Sequence, residues 1–159
     1  MPMKTVIFYG RSGSGKGTQA ELLVEYLTEN DPDTLTLSIE TGQKFREFMT
    51  RNNYTAKKVR TVLDEGGLLP GFLPIWVWTN FFIENYTGVE HLVLDGLSRR
   101  VSEAPVLDSA LAFYDRPNPD VIVLNTSREW SKTRLMERGR ADDNEDDIEE
   151  RLDWYEENT

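Results

Sequence analysis

The stretch Val6-Ile7-Phe8-Tyr9-Gly10-Arg11-Ser12-Gly13-Ser14-Gly15-Lys16-Gly17-Thr18 decides the fold. A short β-branched and aromatic run leads straight into glycines. The glycines lead into Ala20, Leu23, Val24 and Leu27, spaced as on one face of a helix. Strand, glycine-rich turn and helix in that order make a phosphate cradle. Glycines let the backbone curl so that successive N–H groups point at phosphate oxygens. The helix adds its unpaired first-turn N–H groups and the positive end of its dipole. Lys16 would set an ammonium between the β- and γ-phosphates of a nucleoside triphosphate. Because Gly17 follows the lysine, Thr18 is the nearest hydroxyl for a magnesium ion. Gly13, Ser14, Gly15, Lys16, Gly17 and Thr18 are thus the candidate triphosphate-binding residues.

Outward from this loop, Leu35 to Ile39, Leu92 to Leu94 and Val121 to Leu124 read as further strands. They are too continuously apolar to be half exposed, which predicts a sheet covered on both faces. Ile148, Leu152 and Tyr155 mark a helix near the end. Strands alternating with helices predict an α/β P-loop fold: a mainly parallel sheet, helices on both faces, ligands at the carboxyl ends of the strands. Residues 41–86 contain no good strand and read as a helical insertion between core segments 1–40 and 87–159. Its aromatic residues Phe72, Trp76, Trp78, Phe81 and Phe82 read as packing within a helical lobe more than as a stacking platform.

The 159 residues suffice for one domain with a sizeable core. No cysteine is present, so disulfides and Cys-based zinc sites are excluded. A net charge of -10 argues against nucleic acid or anionic membrane as a partner. The apolar run at Val6–Tyr9 is too short for a targeting segment, and no window approaches a membrane span. His91 is the sole histidine, precedes a strand and receives no catalytic role.

Gly15-Lys16-Gly17-Thr18-Gln19, with glycine after the lysine, resembles the loop of the adenylate kinase family, where a proline is usual at the place of Ser12. Thr41-Gly42-Gln43-Lys44-Phe45-Arg46 is similar to that family's acceptor segment, which implies that Thr41, Gly42 and Arg46 contact a monophosphate. Leu94-Asp95-Gly96-Leu97-Ser98-Arg99 resembles the family's Asp-Gly-Phe-Pro-Arg. By that resemblance Asp95 orients magnesium and its waters, while Gly96 and Arg99 meet the acceptor phosphate. A guanidinium fork suits a phosphate dianion bidentately. Leu63 to Leu69 matches the segment whose backbone lines the acceptor base, which gives Leu69 a place in the site.

Glu103 stands where the family has a glutamine that reads the adenine edge. A carboxylate only accepts hydrogen bonds, so it suits the ring N–H and amino donors of guanine, or a lone adenine amino group. The plainer reading makes Glu103 the start of a helix after Ser102.

Arg134, Arg138, Arg140, Asp142, Asp143 and Arg151 complete the resemblance, as the family's closing lid, here very short at about residues 138–143. The chemistry needs such a cluster, because phosphoryl transfer spreads negative charge over equatorial oxygens. The resemblance implies a catalytic set of Lys16, Arg99, Arg138, Arg140 and Arg151. Arg134 and Arg138 belong on the triphosphate side, Arg140 and Arg151 on the monophosphate side. Taken alone, Arg151 could instead pair with Asp147 along one helix.

The implied protein is a cytoplasmic, monomeric nucleoside-monophosphate kinase of nucleotide biosynthesis, using ATP with Mg²⁺. The family continues past the point matching Thr159 with a further strand and helix, which this sequence lacks. A related kinase with another small-molecule acceptor, or a binder that no longer turns over, are the competing readings.

Overall fold

In a computed structural model, the structure describes residues 1–64, 69–140 and 143–159, without the side chain of Asp64. Four strands, β1 (Thr5–Tyr9), β2 (Thr36–Glu40), β3 (His91–Asp95) and β4 (Asp120–Val123), form one all-parallel sheet in the order β2-β3-β1-β4. Alternation along the strands sorts the apolar side chains between two cores. Val6 and Phe8 of β1 and Val93 of β3 pack with Ala20 and Leu27 of α1 (Lys16–Asn30). Ile7, Leu92 and Leu94 face the other way. They meet Leu107 and Leu111 of α5 (Ala104–Phe113), with Trp78 and Phe82. The predicted α/β fold with helices on both faces is what forms.

The stretch between β2 and β3 is helical: α2 (Thr41–Met49), α3 (Tyr54–Asp64) and α4 (Phe72–Asn85). Phe48, Ala56, Val59 and Leu73 give α2, α3 and the start of α4 a small core of their own. The rest of α4 belongs to the main core, since Trp78 and Phe82 are fully buried there. Phe72 and Trp76 stay on the surface, 64% and 39% exposed.

One sequence expectation fails. β4 is exposed along its whole length, Val121 at 54% and Val123 at 61%, so the sheet is not covered on both faces there. Its β-branched run reflects β propensity at a sheet edge and not burial. Continuity of apolar residues cannot distinguish the two.

Beyond β4, α6 (Arg128–Arg138) and α7 (Glu145–Asn158) pack through Leu135, Ile148 and Leu152. Ser127 caps α6 by accepting from the Trp130 amide, and Asn144 caps α7 by accepting from the Asp147 amide. Glu145, Asp146 and Asp147 fill the first turn of α7, where the helix dipole favours them. Arg128 pairs with Glu149, Asp153 and Glu156, and Lys132 with Glu145 and Glu149, across the two helices.

At the amino ends of the strands, His91 accepts the Lys4 amide on Nδ1, so its Nε2–H faces Asp31 at 3.2 Å. This buried histidine ties the start of the chain to the end of α1, away from the carboxyl ends of the sheet. Among the described residues no helix is long and apolar enough to cross a membrane.

Candidate active site

The loop after β1 takes its shape from glycine. Gly13 holds φ +77°, and a Cβ there would sit 2.6 Å from the Ser131 carbonyl and 2.8 Å from Leu135 Cγ, so this side of the loop lies hard against α6. Gly15 holds φ +93° and has nothing within 4 Å of where a Cβ would be. That side is open space. No side chain caps α1, so its first-turn N–H groups remain for a ligand.

Lys16 opens α1 and is buried, its ammonium donating to the Arg11 carbonyl at 2.9 Å. Burial, then the positive charge of Arg99, lowers its pKa to about 8. Asp95 and Glu40 oppose the shift, and Arg138 adds to it. Four separate segments thus send a charge toward this one amine.

Asp95 and Glu40 end neighbouring strands and sit in register with one another. Burial pushes the Asp95 carboxyl up, against the pull of Lys16 and Arg99, with Glu40 adding to the rise. Arg46, on α2, folds back to Glu40 at 3.2 Å. Arg99 curls over Gly96, whose φ of +75° leaves room for the guanidinium: a Cβ there would lie 2.6 Å from Nη2. Thr41 begins α2 and is buried. The acceptor residues expected from sequence, Thr41, Gly42, Gly96, Arg46 and Arg99, therefore gather at the carboxyl ends of β2 and β3.

Buried polar atoms without partners mark the same place. Among the described residues Ser14 Oγ, Thr41 Oγ1, Asp95 Oδ1 and Ser98 Oγ make no hydrogen bond, and neither do Thr36 Oγ1 at the start of β2 and Trp78 Nε1 in the core. Buried polar groups are ordinarily satisfied, and four of these atoms lie on the loop after β1 or just past the carboxyl ends of β2 and β3, where a polar ligand or water can reach them. A hydrated magnesium ion fits this donor set. Asp95 offers a free oxygen, and Gly17 has only a hydrogen toward it, a Cβ there lying 3.8 Å from Oδ2. Thr18 is exposed on the first turn of α1.

The lid arginines are organised by Asp143. Its carboxylate accepts from Arg138 Nε at 2.8 Å and Nη2 at 2.7 Å, from Arg151 Nη2 at 2.9 Å and from the Arg140 amide at 3.1 Å. Burial alone would raise this carboxyl. The bonds from Arg138 and Arg151 instead hold it far below the usual carboxylate range. Arg151 also donates to the Asp147 main-chain carbonyl at 3.0 Å. Arg140 is exposed. Arg134 stays on the outside of α6, over the Trp130 ring and beside Glu137. Asp142, and residues 65–68 of the predicted base-lining segment, lie outside the described residues; Leu69 is described and half-buried.

Glu103 directly precedes α5 without capping it and is buried, its carboxylate accepting the Arg99 amide at 3.1 Å. Three residues escaped the sequence reading. Glu40 holds Arg46; as a carboxylate at a strand end, directly before Thr41, it carries the same signal that identified Asp95. Arg11 reaches α7 through Glu156 at 3.0 Å. Arg100 touches Leu69 and Glu103.

Comparison with known proteins agrees with this geometry. A family model described as Adenylate kinase matches residues 8–159. The chain is 31% identical over 156 residues to an adenylate kinase of Prochlorococcus marinus, covering 98% of this chain and 80% of that protein. It is 33% identical over 162 residues to one of Bifidobacterium longum, covering 97% and 81%. Over 157 residues it is 32% identical to adenylate kinase 1 of Nostoc, covering 99% and 81%. The chain belongs to the adenylate kinase family and is a nucleoside-monophosphate kinase.

Proposed function

We propose that the enzyme moves the γ-phosphoryl group of ATP to AMP or a related nucleoside monophosphate, with the triphosphate in the loop of residues 10–18 and the acceptor phosphate between Arg46 and Arg99. The observation that carries this reading is geometric: Asp95 lies beside Gly17 of the glycine loop, in register with Glu40, which holds Arg46, while Arg99 curls over Gly96 at the same end of the sheet. An acceptor phosphate oxygen attacks the γ-phosphorus in line. The bond to the bridging oxygen breaks, and its electron pair stays on the departing diphosphate. Little proton chemistry is needed, so positioning and charge supply the rate.

Lys16 and the loop amides hold the β- and γ-phosphates. Arg99 orients the acceptor, while Arg138, Arg140 and Arg151 bring positive charge to the equatorial oxygens as the lid excludes water. Arg134 supports the triphosphate side from the outer turn of α6. Asp95 would hold Mg²⁺ through water, with Thr18 as a second oxygen; when bound, the ion neutralises charge on the β- and γ-oxygens. Arg138 and Arg151 already share Asp143, so a phosphate must draw them from an existing carboxylate partner.

Glu103 and the Leu69 backbone face the acceptor base in this reading. A carboxylate there favours a base presenting N–H donors. By family resemblance alone, we place it as a monomer in the cytoplasm, serving nucleotide biosynthesis. No relative favours the competing readings. A coupled assay of ADP formation with AMP, GMP, UMP and CMP tests the function. Turnover is expected with at least one of them, and Arg99→Ala should raise that KM by about ten-fold or more while the fold stays intact. Absence of turnover with all four would overturn it.

A further inference from the structure

Arg100 has no part in the catalytic set, yet its guanidinium joins three elements of the acceptor side. Nη2 donates to the Leu69 carbonyl at 2.9 Å. Nη1 lies 3.6 Å from Glu103 Oε1, and the guanidinium sits over the Trp154 ring at 5.5 Å. Gly71 lies alongside, and a Cβ there would be in ordinary contact with Nη1 at 3.5 Å. The chain segment before α4, the start of α5 and the middle of α7 are thus pinned to one planar group. α7 also carries Arg151, three residues from Trp154.

We propose that Arg100 is a positioning residue for the acceptor nucleotide, fixing the distance between Leu69 and Glu103 and so setting monophosphate affinity and base selectivity. The proposal rests on the reading that a nucleoside monophosphate binds between these walls. Glu103 has a carboxylate only 4% exposed, held on Oε2 by the Arg99 amide and faced on Oε1 by Arg100 alone among the described residues. With Arg100 removed, a buried charge loses its counter-ion and the Leu69 carbonyl loses its donor. Such a carboxylate is no longer held in place on Oε1, which changes what it can accept from a base. The fork geometry matters as well as the charge, since an ammonium cannot span both partners in one plane.

Steady-state kinetics of the full chain with AMP, GMP, UMP and CMP, before and after Arg100→Ala and Arg100→Lys, provide the test. Arg100→Ala should raise the KM of the preferred monophosphate by about ten-fold or more, with kcat and the KM of ATP within about two-fold. The preference between the best and next-best base should shrink toward unity. Arg100→Lys should fall between wild type and Arg100→Ala. In a Glu103→Gln background the Arg100→Ala effect should be much smaller, because no buried charge is left to orphan. Equal changes in both KM values, no change, or an Arg100→Ala effect of the same size with and without Glu103→Gln would overturn the proposal. If Arg100→Ala fails to fold, by circular dichroism, the lysine variant alone decides, through its ratio of monophosphate to ATP effects. A wild-type enzyme that turns over none of the four monophosphates would instead refute the functional reading, and this inference falls with it.

Discussion

The guanidinium of Arg138 grips Asp143 with two hydrogen bonds, Nε to Oδ2 at 2.8 Å and Nη2 to Oδ1 at 2.7 Å. Arg151 takes the same Oδ1 at 2.9 Å, so one carboxylate gathers arginines from two helices before any phosphate arrives. The arrangement limits how far the lid arginines can stray.

Asp143→Asn keeps the shape and removes the charge. Its expected costs are about 1–2 kcal/mol of stability, with the arginines' partial exposure moderating the loss, and about ten-fold in kcat. Urea unfolding and single-turnover rates check these. The native carboxyl titrates below its ordinary value of 3.8, so its contribution is present above that value and vanishes as pH falls below it. The stability gap between wild type and variant should accordingly be full at neutral pH and close in strong acid. A gap independent of pH would rule out this role.

Lys16→Met should abolish turnover, by about 10³-fold or more. Stability behaves in the opposite way. The folded-state pKa of about 8 lies below the ordinary 10.5, so the unfolded chain binds more protons between those values. The lysine's stability cost is therefore largest below pH 8 and is relieved as pH rises toward 10.5. Lys16→Met should melt no lower than wild type at neutral pH. Nucleotide phosphates should pull the pKa up again, so binding near pH 8 should take up protons, seen by calorimetry in buffers of different ionisation enthalpy. Binding without proton uptake there would contradict the buried, depressed amine.

Alanine at two loop glycines should separate packing from function. Gly13→Ala drives a methyl into the Ser131 carbonyl and Leu135, and should lower stability by about 3 kcal/mol or more. Gly15→Ala meets no atom and should cost only backbone strain, about 1–2 kcal/mol. It should nevertheless weaken ATP binding strongly, since the strain at φ +93° falls on the loop whose amides hold the phosphates. Thermal melting and nucleotide titration of both variants give the comparison; equal effects on the two readouts would reject it.

Polar substitutions on β4 should be nearly free. Val121→Thr and Val123→Thr are each expected within about 0.5 kcal/mol of wild type by urea unfolding, whereas Val93→Thr, fully buried in β3, should cost about 1–3 kcal/mol. Comparable losses at all three positions would mean that β4 is covered in solution.

The phosphate loop was legible because strand, glycines and helix face agree over consecutive residues, and local rules suffice for it. Thr41, Arg46 and Arg99 were legible only through family resemblance; an isolated arginine on a helix carries no mark of where its guanidinium goes. The exposure of Val121 to Val123 was hidden because an edge strand and a central strand obey the same propensities. Asp143 was visible as part of a motif but not as the group that holds Arg138 and Arg151, since that depends on where α7 turns back on α6. Arg100 was invisible for the same reason: its partners Leu69 and Trp154 lie 31 residues before it and 54 after.

The oxygens of Ser14, Thr41, Asp95 and Ser98, which make no hydrogen bond within the chain, are open to polar groups of a ligand. A ligand that binds the folded chain and not the unfolded one stabilises the fold as well as fitting it. Saturating ligand at about a hundred times its Kd adds about 2.7 kcal/mol by mass action. A melting curve therefore becomes a sensor of occupancy, able to rank nucleotides even when no product is formed.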